Sequence, residues 1–362
     1  MFIGVHVAVL IAATRFIVGH GYRATPWGEY KARQGKEYSA GSQELYRYRL
    51  WSKRVSYVNQ HNAKNSTWKL AVNRFADLTD KEIRSYMGIT LPSTRDKNWD
   101  ALQAHTRTAQ VEADAIRKTS FLDWTTVPGV VSPVKDQGPC ATCWAFATAG
   151  ALEGAWALSR NLSSATDLSA EMLADCTYQR ASPNETCTAG GWLGAAFQYA
   201  QRNALCNDAA YPYAQPTSSP SRCRSDSCQP HVNRIASFSI VSLETESALM
   251  SALRHQPIAV VMCANYPEIL FYKSGVIIGS PGWNDPDCVI DHSVLLVGYG
   301  YDAKARLPYW KLKNQWGPSF GEQGYFRIAR GASNPDGPFR ILYAPFYASF
   351  APAAPRPAPA SP

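Results

Sequence analysis

The sequence predicts an α+β protein of two lobes, preceded by a mainly helical segment. Residues 22–90 are rich in charged and aromatic side chains, and residues 44–62 carry an approximate helical stripe of apolar positions. From Phe121 to about residue 235 the pattern is mainly helical, whereas the remainder consists of short apolar runs bounded by Gly and Pro. Helices that are followed by strands along the chain indicate separate helical and sheet layers.

Individual elements follow from the same patterns. A short strand is expected at residues 68–72, after the first long helix. In the helical half we expect helices over residues 143–160, 169–175 and 191–202, with Ser169 as the N-cap of the second. Apolar runs of four to eight residues predict five strands in the other half. These are residues 257–263, 275–278, 292–299, 309–314 and 324–328.

Composition limits the classes of function. The chain has 362 residues, 46% of them hydrophobic, with a formal net charge of +8 and a sequence pI near 9.0. Such a composition excludes wholesale disorder and leaves room for two or three domains. Because there is no long run of Lys or Arg and no nucleic-acid-binding motif, we expect a mildly basic soluble protein without a nucleic-acid partner.

Targeting features point to the secretory pathway. Residues 2–13 form an apolar run that suits a signal peptide within residues 1–20, although a positively charged start is missing. No later stretch is long and apolar enough to span a membrane. Three Asn-x-Ser/Thr triplets are glycosylation candidates, at Asn65, Asn161 and Asn184. Nine cysteines in such a chain predict disulfides and leave one free thiol, for which Cys143 is the natural candidate.

Three separated residues indicate acyl transfer through a covalent thioester. Cys143 begins a predicted helix, where the positive end of the helix dipole favours a thiolate. His292 would pair with that thiolate and protonate the departing amine, and Asn314 would orient the imidazole. Gln137 would offer its side-chain amide to the oxyanion beside the backbone N–H of Cys143. Singly, these residues are more often a disulfide partner, a buried histidine or a turn residue, but together they favour catalysis.

In order, flanks and spacing, this set resembles the papain-like cysteine proteases, over residues 27 to about 347. His292 follows Cys143 by 149 residues, a separation typical of that family. The N-terminal segment resembles cathepsin L-like proforms in two motifs. An ERFNIN-type helix is represented by Gln43, Arg47, Leu50, Trp51, Arg54, Val58 and Asn62, and a GNFD-type motif by Ala71, Asn73, Phe75 and Asp77.

The resemblance implies a papain-like two-lobe fold and an autoinhibited precursor. A helical left domain and an antiparallel β-barrel-like right domain would enclose the cleft, and the prosegment would run backwards through it until removed. The mature enzyme would start near Thr119. The resulting organisation is a signal peptide (1–20), an inhibitory prodomain (21–90), a linker or processing region (91–118), a peptidase domain (119–350) and a Pro/Ala-rich tail (351–362).

Disulfide pairs also follow from the resemblance. It implies Cys140–Cys187 and Cys176–Cys223, whereas the usual right-domain bridge does not carry over because Phe339 stands at the second cysteine position. Cys263 ends one apolar strand and Cys288 lies just before another, so antiparallel pairing could join them. Cys206–Cys228 would use the last two cysteines. Both of these latter pairs are hypotheses.

The specificity pocket also maps by resemblance. Substrate-binding residues would be Gly190, Gly191, Trp192, Leu193, Val261, Ser293, Ala344 and Trp316. The side chains of the S2 pocket are neutral and mostly apolar, so we expect an apolar or aromatic residue at the P2 position of a substrate. The alternative is that Leu193 and Val261 are simply core. Endopeptidase activity is expected, without a metal or cofactor. The expected partners are peptide substrates, the chain's own prosegment and cystatin-type inhibitors, and the enzyme is expected to be a monomer.

Departures from the family pattern keep another function open. Ala141 replaces the Gly of CGSCW, Gln315 replaces the Ser of Asn-Ser-Trp, and Phe320 replaces the second Trp of that loop. A catalytically impaired papain-like protein that acts as a binding or interaction module is therefore the alternative. A transglutaminase-type acyltransferase is disfavoured, because its third residue would not be Asn and because the prosegment matches a protease inhibitor.

Overall fold

The computed structural model describes residues 26–92, 121–178, 187–214, 223–241 and 245–352. Asn184, the predicted signal peptide, nearly all of the predicted linker and most of the tail lie outside these ranges. Within them, no helix combines the length and apolarity needed to cross a membrane.

A small helical domain forms the N-terminal part. It contains α1 (Pro26–Gln34), α2 (Ser42–Asn62), β1 (Trp68–Leu70) and α3 (Asp80–Arg84). The apolar stripe of α2 buries Trp51 and Val58, and the rings of Trp27 and Trp51 lie 5.4 Å apart. Aromatic pairs of this kind hold the crossing helices together, because each ring buries a large apolar area.

The helical lobe is built around one almost completely buried helix. It comprises α4 (Cys143–Arg160), α5 (Ala170–Cys176) and α6 (Leu193–Arg202). Most residues of α4 are small, and small side chains allow neighbouring strands to approach closely. A Cβ built on Gly150 would lie 2.9 Å from Leu295, and one on Gly154 would lie 2.8 Å from Pro257. Consequently α4 is the seam where the helical lobe meets the sheet lobe.

The second lobe is a strongly bent sheet. Its elements are β2 (Leu122–Asp123), β3 (Ser237–Ile240), α7 (Glu246–Leu253), β4 (Ile258–Met262), α8 (Pro267–Leu270), β5 (Tyr272–Ile277), β6 (His292–Asp302), β7 (Leu307–Lys313), β8 (Tyr325–Ala329) and β9 (Phe346–Ser349). Short 3₁₀ turns occupy Trp124–Thr126, Ser225–Ser227, Pro281–Asn284 and Pro338–Arg340. The strand order is β1-β5-β8-β7-β6-β4-β9-β3, with β2 beside β6.

The mixed helix-and-sheet architecture confirms the predicted fold class, with one correction to the sheet. Its pairs are antiparallel except β5 and β8, which run parallel through Val276–Arg327 and Ile277–Ile328. The β1 strand of the N-terminal domain pairs with β5, so the prosegment extends the sheet of the second lobe. Backbone hydrogen bonds therefore tie the prosegment to the rest of the protein.

Most predicted boundaries differ from those in the structure by one to three residues, and two of these differences have a clear cause in tertiary contacts. The helix expected at 191–202 starts at Leu193, because Gly191 is extended and pairs with Ile89. The strand expected at 275–278 begins at Tyr272, where β1 joins it. At Gly275 the φ angle is +95°, and a Cβ there would lie 2.2 Å from the Thr67 carbonyl oxygen. Only a glycine allows that approach.

Cysteine pairing in the structure leaves one free thiol. The disulfides are Cys140–Cys187, Cys176–Cys223, Cys206–Cys228 and Cys263–Cys288, the same four pairs that the sequence analysis expects. The unpaired cysteine is Cys143, which is buried. All nine cysteines of the chain are thereby accounted for.

Candidate active site

Cys143 lies at the first turn of α4, as the sequence predicts, but the prosegment buries it completely. Burial raises the pKa of its thiol to about 11, although polar groups of Ser293 and Gly88 act in the opposite direction. The helix dipole favours the thiolate, but its effect is typically below about 1 kcal/mol, and loss of water outweighs it here. With the N-terminal segment in the cleft, burial therefore favours the neutral thiol.

His292 opens β6 and is also fully buried. Burial lowers the pKa of its imidazole to about 4, while the hydrogen bond with Asn314 raises it. Its Nε2 lies 3.0 Å from Oδ1 of Asn314, and Nδ1 has no hydrogen-bond partner among the described residues. Burial therefore works against the predicted thiolate–imidazolium pair while the N-terminal segment lies in the cleft, because two neutral groups avoid the cost of burying two charges.

Asn314 is held by the loop that follows β7. Its backbone N–H donates to the Gly324 carbonyl at 2.9 Å, and its Oδ1 accepts the backbone N–H of Gln315 at 2.9 Å. That second bond fixes the oxygen, rather than the NH2 group, towards His292. The indole of Trp316 packs against the imidazole at a centroid separation of 4.8 Å. Together these contacts hold the imidazole in one orientation and shield it from water.

The side-chain amide of Gln137 reaches the same cleft. Its Nε2 donates to the carbonyl oxygen of Cys140 at 2.7 Å and to that of Tyr86 at 3.1 Å. Tyr86 belongs to the prosegment, so the predicted oxyanion donor is occupied by a peptide carbonyl. The backbone N–H of Gln137 donates to the Gln315 carbonyl at 2.9 Å, which links the two sides of the cleft.

The prosegment crosses the cleft in an extended conformation. Backbone N–H groups of Gly88 and Ile89 both donate to the Asp291 carbonyl, at 2.9 and 3.1 Å. Gly191 donates to the Gly88 carbonyl at 2.7 Å, and Thr90 donates to that of Gly191 at 2.9 Å. Ile89 and Gly191 form a parallel bridge. A peptide is thus hydrogen-bonded on both walls of the cleft, directly above the helix that begins at Cys143.

Sequence reasoning missed two contributors to this cleft. Asp291 was not selected, although it immediately precedes His292. Its main-chain carbonyl binds the prosegment, and its side chain accepts the backbone N–H of Ala264 at 2.8 Å. Gln315 was noted only as a departure from the family pattern, yet its amide lies 3.3 Å from Nε2 of His292. A polar residue adjacent in sequence to a candidate catalytic residue was the available signal in both cases.

The residues assigned to the specificity pocket lie together in the structure. Val261 and Ser293 are cross-strand partners on β4 and β6. All five side-chain positions are buried, namely Trp192, Leu193, Val261, Ser293 and Ala344. Ile89 of the prosegment packs against the same apolar cluster. That cluster is the buried core of the lobe, of which four of these five residues, all but Ser293, are members.

Trp316 connects the site to the prosegment. The ring of Phe75 meets that of Trp316 edge to face, with centroids 4.9 Å apart, and Arg74 forms an ion pair with Asp136 at 2.7 Å.

Of the glycosylation candidates within the described residues, Asn65 and Asn161 are both exposed.

Comparisons with known proteins agree with this geometry. Residues 119–340 match the family model for papain family cysteine proteases, and residues 27–83 match that of the cathepsin propeptide inhibitor domain. The chain is 32% identical over 344 residues to senescence-specific cysteine protease SAG39 of Oryza sativa, with 93% of each chain covered. It is 33% identical over 327 residues to human cathepsin L2, which covers 86% of this chain and 88% of that protein.

Solved structures of similar fold are also those of cysteine protease precursors. Procathepsin L2 from the larval midgut of Tenebrio molitor matches with a TM-score of 0.74 and 27% identity, covering 90% of this chain and 98% of that one. The proform of the ragweed pollen allergen Amb a 11 matches with a TM-score of 0.70 and 27% identity, covering 89% of this chain and 93% of that one. Both matches include the prosegment, so the similarity extends to the inhibited arrangement.

Proposed function

Because the chain belongs to the papain family of cysteine proteases and is made as a zymogen with its own inhibitory prosegment, we propose that Cys143, His292, Asn314 and Gln137 form its catalytic set. The observation that supports this most strongly is a peptide already lying in the cleft. The prosegment carbonyl of Tyr86 accepts from Gln137, and Gly88 lies above the thiol. A substrate that replaced the prosegment would meet the same donors.

The proposed reaction begins once the prosegment leaves. Water then reaches the cleft, and the penalty on charge separation falls, so the proton of Cys143 passes to Nδ1 of His292. The thiolate attacks the scissile carbonyl carbon, and the amide of Gln137 with the backbone N–H of Cys143 stabilises the oxyanion. His292 returns the proton to the leaving amine, which gives a thioester. Water, deprotonated by His292, hydrolyses that thioester and regenerates the thiol.

Acidification of the full-length precursor tests this proposal. Wild-type precursor is expected to lose the prosegment and gain peptidase activity together, whereas Cys143→Ser is expected to do neither if maturation is autocatalytic. Adding a trace of active wild-type enzyme to that variant checks that its processing site remains cleavable. A processed wild-type protein that is as inert as Cys143→Ser would instead favour the alternative, a papain-like binding protein.

We further propose an endopeptidase with an apolar preference at P2. The prosegment backbone continues on both sides of Cys143, which supports a cleft open at both ends. Ile89 of the prosegment packs against the buried apolar core of this lobe, and Val261 and Ala344 belong to the same core, which is compatible with an aliphatic side chain at P2. A fluorogenic peptide set blocked at both termini should favour Leu and Phe over Arg at P2. Preference for Arg would contradict the pocket assignment.

Entry into the secretory pathway, and residence in a lysosomal or vacuolar compartment or outside the cell, is also a proposal. Four disulfides support it, because such bonds form in oxidising compartments. The exposed positions of Asn65 and Asn161 are compatible with N-glycans. Enzymatic removal of N-glycans from the natively expressed protein should increase its electrophoretic mobility, and Asn→Gln variants would assign the sites. Susceptibility to cystatin-type inhibitors and a monomeric state remain proposals of the same kind.

A further inference from the structure

Gln315 is a buried amide that contacts the imidazole of His292 and has no part in the reaction proposed above. It is 4% exposed, and its Nε2 lies 2.8 Å from the Ser293 carbonyl oxygen and 3.3 Å from Nε2 of His292. A carbonyl oxygen only accepts hydrogen bonds, so the end of the amide that faces it must be the NH2 group. One hydrogen serves Ser293, and the other is available to His292.

Nε2 of His292 therefore faces two partners with opposite requirements. The Oδ1 of Asn314, 3.0 Å away, is an acceptor and requires a proton on Nε2. The amide of Gln315 is a donor and requires a lone pair on the same nitrogen. One ring nitrogen cannot satisfy both partners at once. The protonated form is stabilised by Asn314, and the unprotonated form is stabilised by Gln315.

We infer that Gln315 is a positioning residue that disfavours the proton on Nε2 of His292 and thereby weakens the imidazolium. The inference rests on the proposed function, in which His292 protonates the leaving amine. With a proton on Nε2, a neutral imidazole leaves Nδ1 free to accept the thiol proton. In the other tautomer Nδ1 already carries a proton and cannot accept one. Gln315 stabilises that second, unproductive tautomer.

The effect has a specific signature in the pH dependence. On the acidic side, activity rises as the Cys143 thiol loses its proton beside an imidazolium. The imidazolium is charged both before and after that ionisation, so a group that acts only on the imidazolium does not change the pKa of the acidic limb. On the alkaline side, activity falls as the imidazolium itself loses its proton. Gln315 acts on the imidazolium, so it lowers the pKa of the alkaline limb and leaves the acidic limb unchanged.

Other titratable groups surround the site, and their effects on the pH profile must be separated from the effect of Gln315. Asp291 precedes His292 in the chain and its charge acts on Cys143. The Arg74–Asp136 pair lies against the loop of Trp316. Behind Gln315 is a cavity of about 20 Å³ lined in part by Lys135, Glu153 and Lys313. Burial lowers the pKa of Lys313 to about 8, within the range of an alkaline limb. The experiment therefore includes a Lys313→Met variant.

The test uses mature enzyme obtained from the full-length precursor. In Gln315→Met the side chain keeps its length but loses the donor, and in Gln315→Ser it is too short to reach His292. Gln201→Met makes the same change on an exposed turn of α6 and serves as the matched control. The pH profile of kcat/KM is recorded for each. In parallel, NMR follows the ring proton of His292, assigned with His292→Gln, so that one readout needs no peptide hydrolysis.

Both Gln315 variants are expected to raise the alkaline-limb pKa by about 0.5–1 pH unit, the shift that corresponds to one ordinary hydrogen bond. The NMR titration should shift equally, and Gln201→Met should leave both limbs in place. A uniform loss of kcat/KM at every pH, with unmoved limbs, would assign Gln315 to packing and overturn the inference. The inference would also be overturned if the alkaline limb moved only in the Lys313→Met variant. If wild-type enzyme hydrolyses no peptide, the proposed function is wrong, and the NMR titration still decides the role of Gln315.

Discussion

Gly88 is the point at which a single methyl group should loosen the inhibited state. A Cβ built on Gly88 would lie 2.3 Å from the Ala141 carbonyl oxygen and 2.5 Å from its carbonyl carbon. Those are main-chain atoms, two residues before Cys143, and they cannot swing aside as a flexible side chain would. Gly88→Ala therefore forces the prosegment to move away from the cleft.

The size of the effect follows from the bonds that this movement strains. Four backbone hydrogen bonds join residues 88–90 to Asp291 and Gly191. Complete loss would cost about 2–6 kcal/mol at about 0.5–1.5 kcal/mol each. The prosegment can relax partly, as in other overpacked sites, so we expect about 1–3 kcal/mol. The population of the undocked state should then rise about 5- to 150-fold.

Alkylation of Cys143 measures that population directly, because every other cysteine is in a disulfide. Intact precursor is treated with iodoacetamide at one fixed pH, and the rate is followed by mass spectrometry. When docking is fast relative to alkylation, the rate is proportional to the undocked fraction. Arg84→Ala, an exposed change four residues away that adds no atoms, is the control.

Gly88→Ala should be alkylated at least fivefold faster than wild type, and Arg84→Ala within twofold of it. Equal rates for Gly88→Ala and wild type would refute the steric argument, since they would mean that the main chain at Ala141 accommodates the methyl group without displacing the prosegment.

Three further predictions concern the oxyanion site, acid release and the unusual disulfide. Gln137→Ala should lower kcat of the mature enzyme about 10²–10³-fold while KM changes little, as steady-state kinetics would show; an unchanged kcat would remove Gln137 from the mechanism. In the prosegment, hydrogen bonds from Arg47 hold the pKa of Glu82 at about 2, below its unfolded value. This pair therefore stabilises the folded prosegment, on which docking depends, above about pH 4 and loses its effect as pH falls towards 2. Glu82→Gln should weaken docking at pH 6 and flatten its acid dependence in the alkylation assay; a wild-type pH dependence in that variant would contradict this. Replacing Cys263 and Cys288 together by Ala opens a 25-residue separation and should lower the free energy of unfolding by about 3.5 kcal/mol in urea titration, and an unchanged midpoint would show that the bridge adds nothing.

Much of the fold could be predicted from the sequence because its signals are local. The helix at 143–160 was predicted with the bounds that the structure gives it, since most of its residues are apolar or small and it ends before Asn161, which adopts the left-handed conformation with φ of 52°. Strand β6 was predicted at residues 292–299 from its apolar run, and in the structure it extends to Asp302, with nine consecutive buried positions from His292 to Gly300. The parallel pairing of β5 with β8 was not foreseen, since no local pattern encodes which strand edges meet.

For the candidate site too, some features could be predicted from the sequence and others could not. Residue types and their order along the chain were sufficient to select Cys143, His292, Asn314 and Gln137, because a nucleophile, a base, an orienting amide and an oxyanion donor are distinct chemical requirements. Their protonation was not available from the sequence. Helix position alone favours a thiolate, whereas the prosegment at Gly88 excludes water from Cys143 and opposes that preference.

The chemistry of this protein, and the presence of an inhibitor in the same chain, could be inferred from the amino-acid sequence alone, since both depend on the identity and order of side chains. Tertiary contacts, by contrast, establish that burial under the prosegment favours the neutral forms of Cys143 and His292, and that the amide of Gln315 and Oδ1 of Asn314 both face one ring nitrogen. Both depend on which groups exclude water from one another and face each other across the cleft, and such contacts between distant parts of the chain exist only after it has folded.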